Sequence, residues 1–455
     1  MRRHRQRGDV LIALLIFGGI AAFLVGGLVQ MAVLEHQAGR AKVAKELAFQ
    51  IAEAGLEYYK WHLVHNASDF QDGTGGPGPY EHGYTDKDGN VVGKFSLEIT
   101  PPPVGSTVVQ IRSAGWSLAY PAVRRTVVAR VGFPSLVDYA FLTNTDAWIG
   151  DTETIHGKFH ANGGIRFDGV GDALITSARA TYVCRPFHGC GNQERPGIWG
   201  DGGPTSFWQF PVPAQDFTAI TVDLANLRTL AQTSGIYLGP SGTNGYRLRF
   251  NADRTVNIER VTALQPSVIG WDINGVLRVE SNDIQTTQLI EIRAIPASGA
   301  IFAEDKVWVD GTVSGHTTVG SGRFPDNPAT RTSIVINGDI RYVAKDGTHT
   351  LGLIAQQHVL IPRYSPDQLE VDAAVLAQNG SAQRYYYPGN ILDRLVIYGS
   401  VISNGLWTWS WVSGGGAIVS GYRNTDTTYD ANLTYGPPPG FPVGNAYNQI
   451  SWQEE

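Results

Sequence analysis

From Val10 to Leu34 the chain carries no charged residue. These 25 positions would form about 37 Å of helix at ~1.5 Å per residue, more than the ~30 Å hydrocarbon layer of a bilayer. Core helices of soluble proteins seldom stay uncharged for so long, so the segment reads as a membrane span. Arg2, Arg3, Arg5 and Arg7 precede it, and a basic flank stays on the cytoplasmic side. The expected topology is single-pass in the cell membrane, with the N-terminus cytoplasmic and everything after Leu34 extracytoplasmic or at the cell surface. A cleaved secretory signal has a shorter apolar core and a small-residue cleavage site after it, whereas here polar and charged residues continue in helical register. In "HQAGRAKVAKELAFQIAEAGLEYYKWHL" the residues Val43, Leu47, Ile51, Ala54 and Tyr58 recur at spacings of three and four. That predicts one long helix that leaves the membrane with an apolar stripe for packing. Gly18, Gly19, Gly26 and Gly27 lie inside the span; either they permit close helix approach or they reflect the abundance of Gly in membrane helices.

A chain of 455 residues exceeds what one core usually organises, so two or three domains are expected. The formal charge is −6, and without the four leading arginines the remainder stands at −10, a poor match for nucleic acid. Gly is abundant (54), Met nearly absent (2) and charged residues few (17%). That balance suits short strands joined by tight turns better than a helical bundle.

After the helix, "DGTGGPGPYEHGYTDKDGN" (72–90) reads as a loop ending in a turn at Asp88-Gly89; it lacks the remaining acids of a calcium loop. Three strands with period-two alternation come next, at 94–100, 107–116 and 124–131, predicting a small antiparallel sheet packed on the helix stripe. Further on, "VWVDGTV" (307–313), "IVINGDI" (334–340) and "LVIYGSV" (395–401) place apolar residues first, third and seventh with Gly fifth. Steps of 17, 19 and 25 residues separate Gly338, Ala355, Ala374 and Gly399. This spacing suits the coils of a parallel β-helix with Gly at the corners, the alternative being an antiparallel sandwich with Gly at bulges. A helical pattern at 215–232 capped by Asp216 and a hairpin at 246–261 interrupt the repeats. With the cysteine loop they mark an α/β insertion at about 180–300, the first place to seek a partner.

Cys184 and Cys190, the only cysteines, sit in "CRPFHGC" and predict one disulfide closing a small loop outside the cytoplasm. A zinc site built from both thiols and His188 would be a ligand short, and no metal or cofactor is assigned. Asp168, Asp172, Asp310, Asp339, Asp372 and His316 lie beside turns or repeats and read as turn formers. No nucleophile-elbow, zinc-protease or P-loop motif is present, and no catalytic residue is assigned. Trp407, Trp409 and Trp411 alternate in "GLWTWSWVSGG". They form either an outward aromatic stripe able to stack on sugars or dock a partner, or an inward cover for a terminal coil, with the Pro-rich tail 435–445 over that end.

The short basic leader ending in Gly8, the apolar helix that starts at once, and "AFQIAEAGLEYYKWHL" (48–63) resemble type IV pilin-like proteins, especially minor pilins of the PilX type. The resemblance implies cleavage between Gly8 and Asp9 by a prepilin peptidase, and partnership with other pilin-like subunits and the pilus assembly machinery. Such proteins usually carry Glu at the fifth mature position, where this chain has Ala13; Asp9 is the nearest acid. That departure implies a minor or tip subunit over a shaft subunit. The expected plan is mainly β with a long N-terminal transmembrane α-helix: leader 1–8, helix 9–64, a small pilin-like sheet domain 65–136, and a β-helix-like (β-solenoid) ectodomain 137–455. The expected role is structural or adhesive, with a surface glycan or protein as ligand. The rivals are a permanently anchored surface protein that does not polymerise and an extracellular glycan-active β-helix enzyme.

Overall fold

The computed structural model describes residues 6–103, 105–135, 138–217, 219–413, 416–443 and 447–455, with side chains described from Val10 in the first helix and from Leu224 in the second. The chain is mainly β, with one long N-terminal helix, and divides into two compact units. Unit 1 comprises Met1–Pro101, Val108–Gly132 and Tyr447–Glu455; unit 2 comprises Pro102–Thr107 and Phe133–Ala446.

In unit 1, α1 (Gln6–His65) is a single helix of 60 residues, about 90 Å long. From Val10 through Val43 its side chains are exposed, and the stretch is long and apolar enough to cross a membrane. Beyond it α1 packs on an antiparallel sheet of β1 (Tyr80–Thr85), β2 (Val91–Thr100), β3 (Val108–Ser117) and β4 (Arg125–Gly132), in that order. The strand Asn448–Glu454 completes the sheet against β4. Two of these strands depart from expectation. β1 lies inside the segment read as a loop, because Tyr80, His82 and Tyr84 alternate amid Gly and Pro that hide the pattern. The C-terminal strand belongs to unit 1, whereas the expected ectodomain ran to residue 455.

The helix stripe also differs. Val43 is 63% exposed, while Ala44, Ala48, Ile51, Ala52, Leu56, Tyr59 and Leu63 are buried. The buried face is thus rotated toward the small residues, and the sheet shows why. A Cβ placed on Gly115 would stand 2.3 Å from Ala52 N and 2.5 Å from Ala48 O, and one on Gly93 would stand 2.4 Å from Ile51 Cδ1. Backbone meets backbone there, which bulkier residues at 48 and 52 would forbid. The far end of α1 is tied down by the adjoining loop. Tyr59 Oη donates to Asp69 O (3.0 Å), His62 faces Asp69 (3.1 Å), and Tyr58 Oη donates to Asp72 (3.2 Å), which also meets His82 (2.6 Å).

Unit 2 is built from parallel ladders in which a strand pairs with one from the next repeat. The first runs, in spatial order, through Ile236–Leu238, Ala300–Ala303, His316–Ser321, Thr350–Ala355, the second halves of Gln368–Ala377 and Ile391–Ser403, Phe141–Thr143, Phe159–Ala161, Ile175–Ser177 and Trp208–Gln209. A second joins Tyr246–Asn251, Val307–Val313, Ile334–Tyr342, Val359–Ile361 and Ala382–Arg384. A third passes through Ile340, Val371, Ile397, Thr427, Ile155 and Gly171. Gly311 (φ 108°) stands where the chain passes from the second ladder to the third, and Gly399 (φ 151°) where it passes from the third to the first. A Cβ at either would meet a carbonyl oxygen at 2.2 or 2.0 Å, so both positions need glycine.

Chain order and spatial order differ in the first ladder. Phe141 pairs with Val401, so residues 141–209 extend the stack beyond its latest strands. The chain must then return along a ladder roughly 40 Å long, at ~4.8 Å per strand. The helix α2 (Ala219–Ser234), about 24 Å long, makes part of that return. Its Leu224, Leu227 and Ala231 pack with Phe302, Ile354, Leu376 and Ile402 of the first ladder. The expected insertion at 180–300 therefore dissolves in part: Ile198–Trp199, Trp208–Gln209, Ile236–Leu238 and Tyr246–Asn251 within it are ladder strands.

Val307, Val309, Ile334, Ile336, Val359 and Ile361 point into the main core, while Trp308, Val335 and Leu360 between them enter a second apolar layer with Val261, Tyr385 and Tyr387. Strands buried on both faces read as continuous apolar runs.

The seat of α1 on Gly115 is testable. Gly115→Val should cost about 3 kcal/mol or more, because the added methyls meet backbone that cannot yield. Hydrogen exchange should then quicken in peptides covering 44–63 and 108–132 while peptides from 300–403 keep their protection.

Candidate functional site

The strands Ala147–Ile149, Ile165–Phe167 and Ile198–Trp199 pair in parallel and place Trp148, Arg166 and Trp199 in one row. In-register pairing stacks the row ring on guanidinium. Arg166 lies 4.4 Å from the Trp148 ring and 5.3 Å from the Trp199 ring, and Arg195 lies 4.6 Å from the Trp199 ring. Cation–π contacts of this kind are worth about 0.5–2 kcal/mol each. Asp168 holds the row in place: it accepts from Trp148 Nε1 (2.9 Å) and pairs with Arg166 Nε (2.8 Å). Trp199 Nε1 donates to Tyr182 Oη (2.9 Å). Trp148, Arg166, Trp199 and Arg195 leave an aromatic and cationic strip partly open to solvent.

The cysteine loop borders this strip. Cys184 and Cys190 are disulfide-bonded, their Cα atoms 5.6 Å apart, closing a hairpin of Thr181–Cys184 and Gln193–Pro196. Arg166 Nη1 donates to His188 O (2.9 Å), and Phe187 is exposed. His188 is 6% exposed; burial, helped by Arg166 and Arg185, pushes its imidazole down to about 4. Both sulfurs are consumed by the disulfide, so His188 has no thiolate beside it to hold zinc. Among the described residues no cluster of three His, Cys, Asp or Glu side chains is placed to hold a metal ion.

The tryptophans singled out in the sequence face inward in part. Trp407 and Trp409 are 8% and 1% exposed and belong to the main core of unit 2. Trp407 stacks on Phe141 with ring centroids 4.4 Å apart. Trp411 is half-buried and donates from Nε1 to Arg384 O (2.9 Å). The three do not form an open stripe, because Thr408 bridges to Gln383 in continuation of the second ladder and turns its neighbours into the core. Nor do they close the end of the stack, since residues 141–209 continue it. The Pro-rich tail likewise lies along the first ladder, where Phe441 packs in the layer of α2.

The scattered acids are engaged in structural pairs. Asp310 accepts from Arg247 (2.9 and 3.1 Å) and Asn337 (2.6 Å). Asp372, buried, accepts from Tyr342 N (2.9 Å) and pairs with Lys345 (2.8 Å). Burial raises its carboxyl above the ordinary range against the pull of Lys345. Asp172 meets His156 (2.7 Å), Asp339 meets Arg341 (3.0 Å), and His316 meets Thr350 (3.0 Å). Gly8 and Asp9 fall in the first turns of α1, but their side chains, and leader residues 1–5 entirely, lie outside the described residues.

The Trp148–Arg166–Trp199–Arg195 row was not among the residues singled out from the sequence. Its members are 18, 33 and 4 positions apart in turn, a spacing without local period. Only the in-register ladder unites them.

No family model matches this chain, and no curated protein matches it. Among solved structures, the competence-associated pilin ComZ from Thermus thermophilus aligns with a TM-score of 0.27 and 13% identity, over 91% of this chain and 98% of that one. That similarity is too low to stand for a shared fold, so the functional reading rests on this chain's own residues.

The depressed imidazole of His188 sets a pH window. Neutral when folded and protonated near 6.5 when unfolded, it adds stability that is full above about pH 6.5 and is lost as pH falls toward 4. Its share is up to about 3 kcal/mol. Denaturant midpoints at pH 7 and 4.5 should show the loss, and His188→Gln should reduce the difference between them.

Proposed function

We propose that this chain is a pilin-like, membrane-anchored subunit of the cell surface, with a structural or adhesive role and no catalysis of its own. The observation that carries the reading is α1: one unbroken helix, exposed and uncharged over much of its first half, then seated by a small-residue face on an antiparallel sheet. Such a helix can be drawn from a bilayer into a helical bundle without refolding, because its backbone bonds are satisfied within itself in either setting. Gly18, Gly19, Gly26 and Gly27 would meet nothing within 4 Å in this chain if given a Cβ. They leave that surface free for lipid or for the helices of neighbouring subunits.

In this reading the prepilin peptidase cuts between Gly8 and Asp9, and the chain enters a pilus or pseudopilus as a minor or tip subunit. Ala13, lacking the carboxylate that would pair with a neighbour's terminal amine, suits a position with one neighbour fewer. The parallel ladders of unit 2 are read as coils of a β-helix, which raises a rigid, disulfide-pinned surface outside the cell. The Trp148–Arg166–Trp199–Arg195 strip is the place for a glycan or protein ligand, since flat rings stack on sugar faces and guanidinium groups pair with acids. The buried or ion-paired acids of unit 2 favour this over a hydrolase, which needs carboxylates facing a groove.

The mass of the N-terminal peptide from membrane-extracted protein tests the reading. Loss of eight residues, with Asp9 first, is expected. An intact start at Met1 or Arg2 would instead mark a permanently anchored protein that does not polymerise. For the ligand strip, Trp199→Ala should weaken retention on the recognised surface at least tenfold while costing no more than about 3 kcal/mol of unfolding free energy, so that the variant stays folded.

A further inference from the structure

Between β3 and β4 the chain reads "SLAYPAVRR" (117–125). No charge occurs from Ser113 to Val123, and Arg124 and Arg125 come immediately after. Leu118 is 49% exposed, and Ala119, Pro121 and Ala122 are exposed with it. A hairpin tip in water ordinarily carries polar turn residues. The neighbouring β1–β2 turn does so, with Asp86, Lys87 and Asp88 bonded among themselves. An exposed apolar tip beside it calls for a cover.

Its height along α1 says what the cover is. β3 runs opposite to α1: Ser113 lies at Gly55 and Gly115 lies at Ala48 and Ala52. Five further residues reach at most about 17 Å, which brings Tyr120 down the helix toward Gly39. The structure agrees, for Tyr120 lines one shallow groove with Ala32, Glu35, His36, Gly39, Arg40 and Val43. Ala32 belongs to the uncharged run. The centre of that groove stands roughly 6 Å past Leu34 at ~1.5 Å per residue, and the headgroup layer on each side of a bilayer is about 5–7 Å thick.

We propose that the 118–123 tip rests in the lipid headgroup layer of the membrane that α1 spans, giving unit 1 a second, peripheral contact with the bilayer. The occupant is phospholipid at the headgroup–acyl boundary. Leu118 and Tyr120 supply the apolar and amphipathic contact. Arg124, whose guanidinium lies 4.1 Å from the Trp116 ring, stands at the rim with Arg125, which is paired to Glu454. Arg and aromatic rings side by side are the composition of that boundary. The charges around the tip are mixed: Arg40 stands with Glu35 and His36 in the groove that Tyr120 lines, Lys42, Lys45 and Glu46 line a second groove with Arg125 and Glu454, and Lys87 in the neighbouring turn is bonded to Asp88. Binding therefore needs no anionic lipid. The contact holds unit 1 against the bilayer and is given up when the helix is withdrawn from it.

The inference rests on the reading that α1 spans a membrane, and the test keeps the two apart. Full-length protein is placed one copy per nanodisc of phosphatidylcholine, with one fluorophore on a cysteine introduced at Ala119, Phe23 or Thr74; Cys184 and Cys190, already bonded, do not react. The label at 119 should lose at least half its intensity to headgroup-nitroxide lipid, the label at 23 should be quenched by acyl-chain nitroxide, and the label at 74 should respond to neither. Replacing a third of the lipid with phosphatidylglycerol should leave quenching at 119 unchanged, and Leu118→Asp with Tyr120→Asp should abolish it. Quenching at 23 without quenching at 119 overturns the proposal while the span stands. Absence of both overturns the span and the proposal with it. Quenching at 119 only when several copies share a disc overturns it in favour of a neighbouring subunit as the cover.

Discussion

The approach of α1 to β3 at Gly115 governs most of the geometry of unit 1. Where a missing Cβ lets the Ala48 and Ala52 turn touch a strand, the helix cannot slide or rotate without forcing a methyl into backbone. Register along the helix then sets everything else by distance. The β3–β4 tip falls near the end of the uncharged run, and the Asp69–Asp72 loop falls at the opposite end, where Tyr58, Tyr59 and His62 hold it. A stripe of large residues would have given more apolar burial but looser register, because large side chains repack more easily than two backbones in contact.

Unit 2 solves a different problem. A parallel stack has two open ends, each a row of unpaired backbone groups that invites another chain. Here the first ladder begins at Ile236–Leu238 and ends at Trp208–Gln209, so its two ends are close neighbours in sequence, joined by α2. The long return that this order demands is used to cover the outer face of the same ladder. Leu224, Leu227 and Ala231 bury Phe302, Ile354 and Leu376, residues that would otherwise leave a large apolar surface in water. At the opening end the hairpin Tyr246–Asn251 and Thr255–Leu264 continues the second ladder in antiparallel fashion, a change of direction that ends the repeat.

The uncharged run and its continuation as helix, three of the unit 1 strands and the disulfide were legible because each rests on a local signal: charge absence, period two, or paired cysteines in one short loop. The recurring Gly at the fifth place was legible for the same reason; Gly311 and Gly399 take positive φ there, whereas Gly338 does not. What stayed hidden depends on residues far apart. β1 looked like a loop because its alternation uses Tyr and His among glycines. The strand 448–454 falls inside the expected ectodomain because only β4, over three hundred residues earlier, reveals its place. The stripe of α1 was read through its largest residues, whereas closest approach favours its smallest. Trp407 and Trp409 could be read as an outward stripe or an inward cover because alternation says nothing about which side is covered; their burial and the stacking of Phe141 on Trp407 decide for the inward side.

The surface strip of Trp148, Arg166, Trp199 and Arg195 shows what in-register parallel pairing can do that a loop cannot. Strands ~4.8 Å apart hold planar groups close to stacking distance on their own, so in the proposed role the rings would lose little freedom on binding. Asp168 adds to this by fixing both Trp148 and Arg166, which also neutralises one of the two arginines. The other, Arg195, donates to the neutral Gln193 Oε1 (2.8 Å) and lies over the Trp199 ring. If the strip binds a ligand as proposed, such a surface would favour one with a flat apolar face and a single acid at its edge over polyanions, which would need several cations in a row.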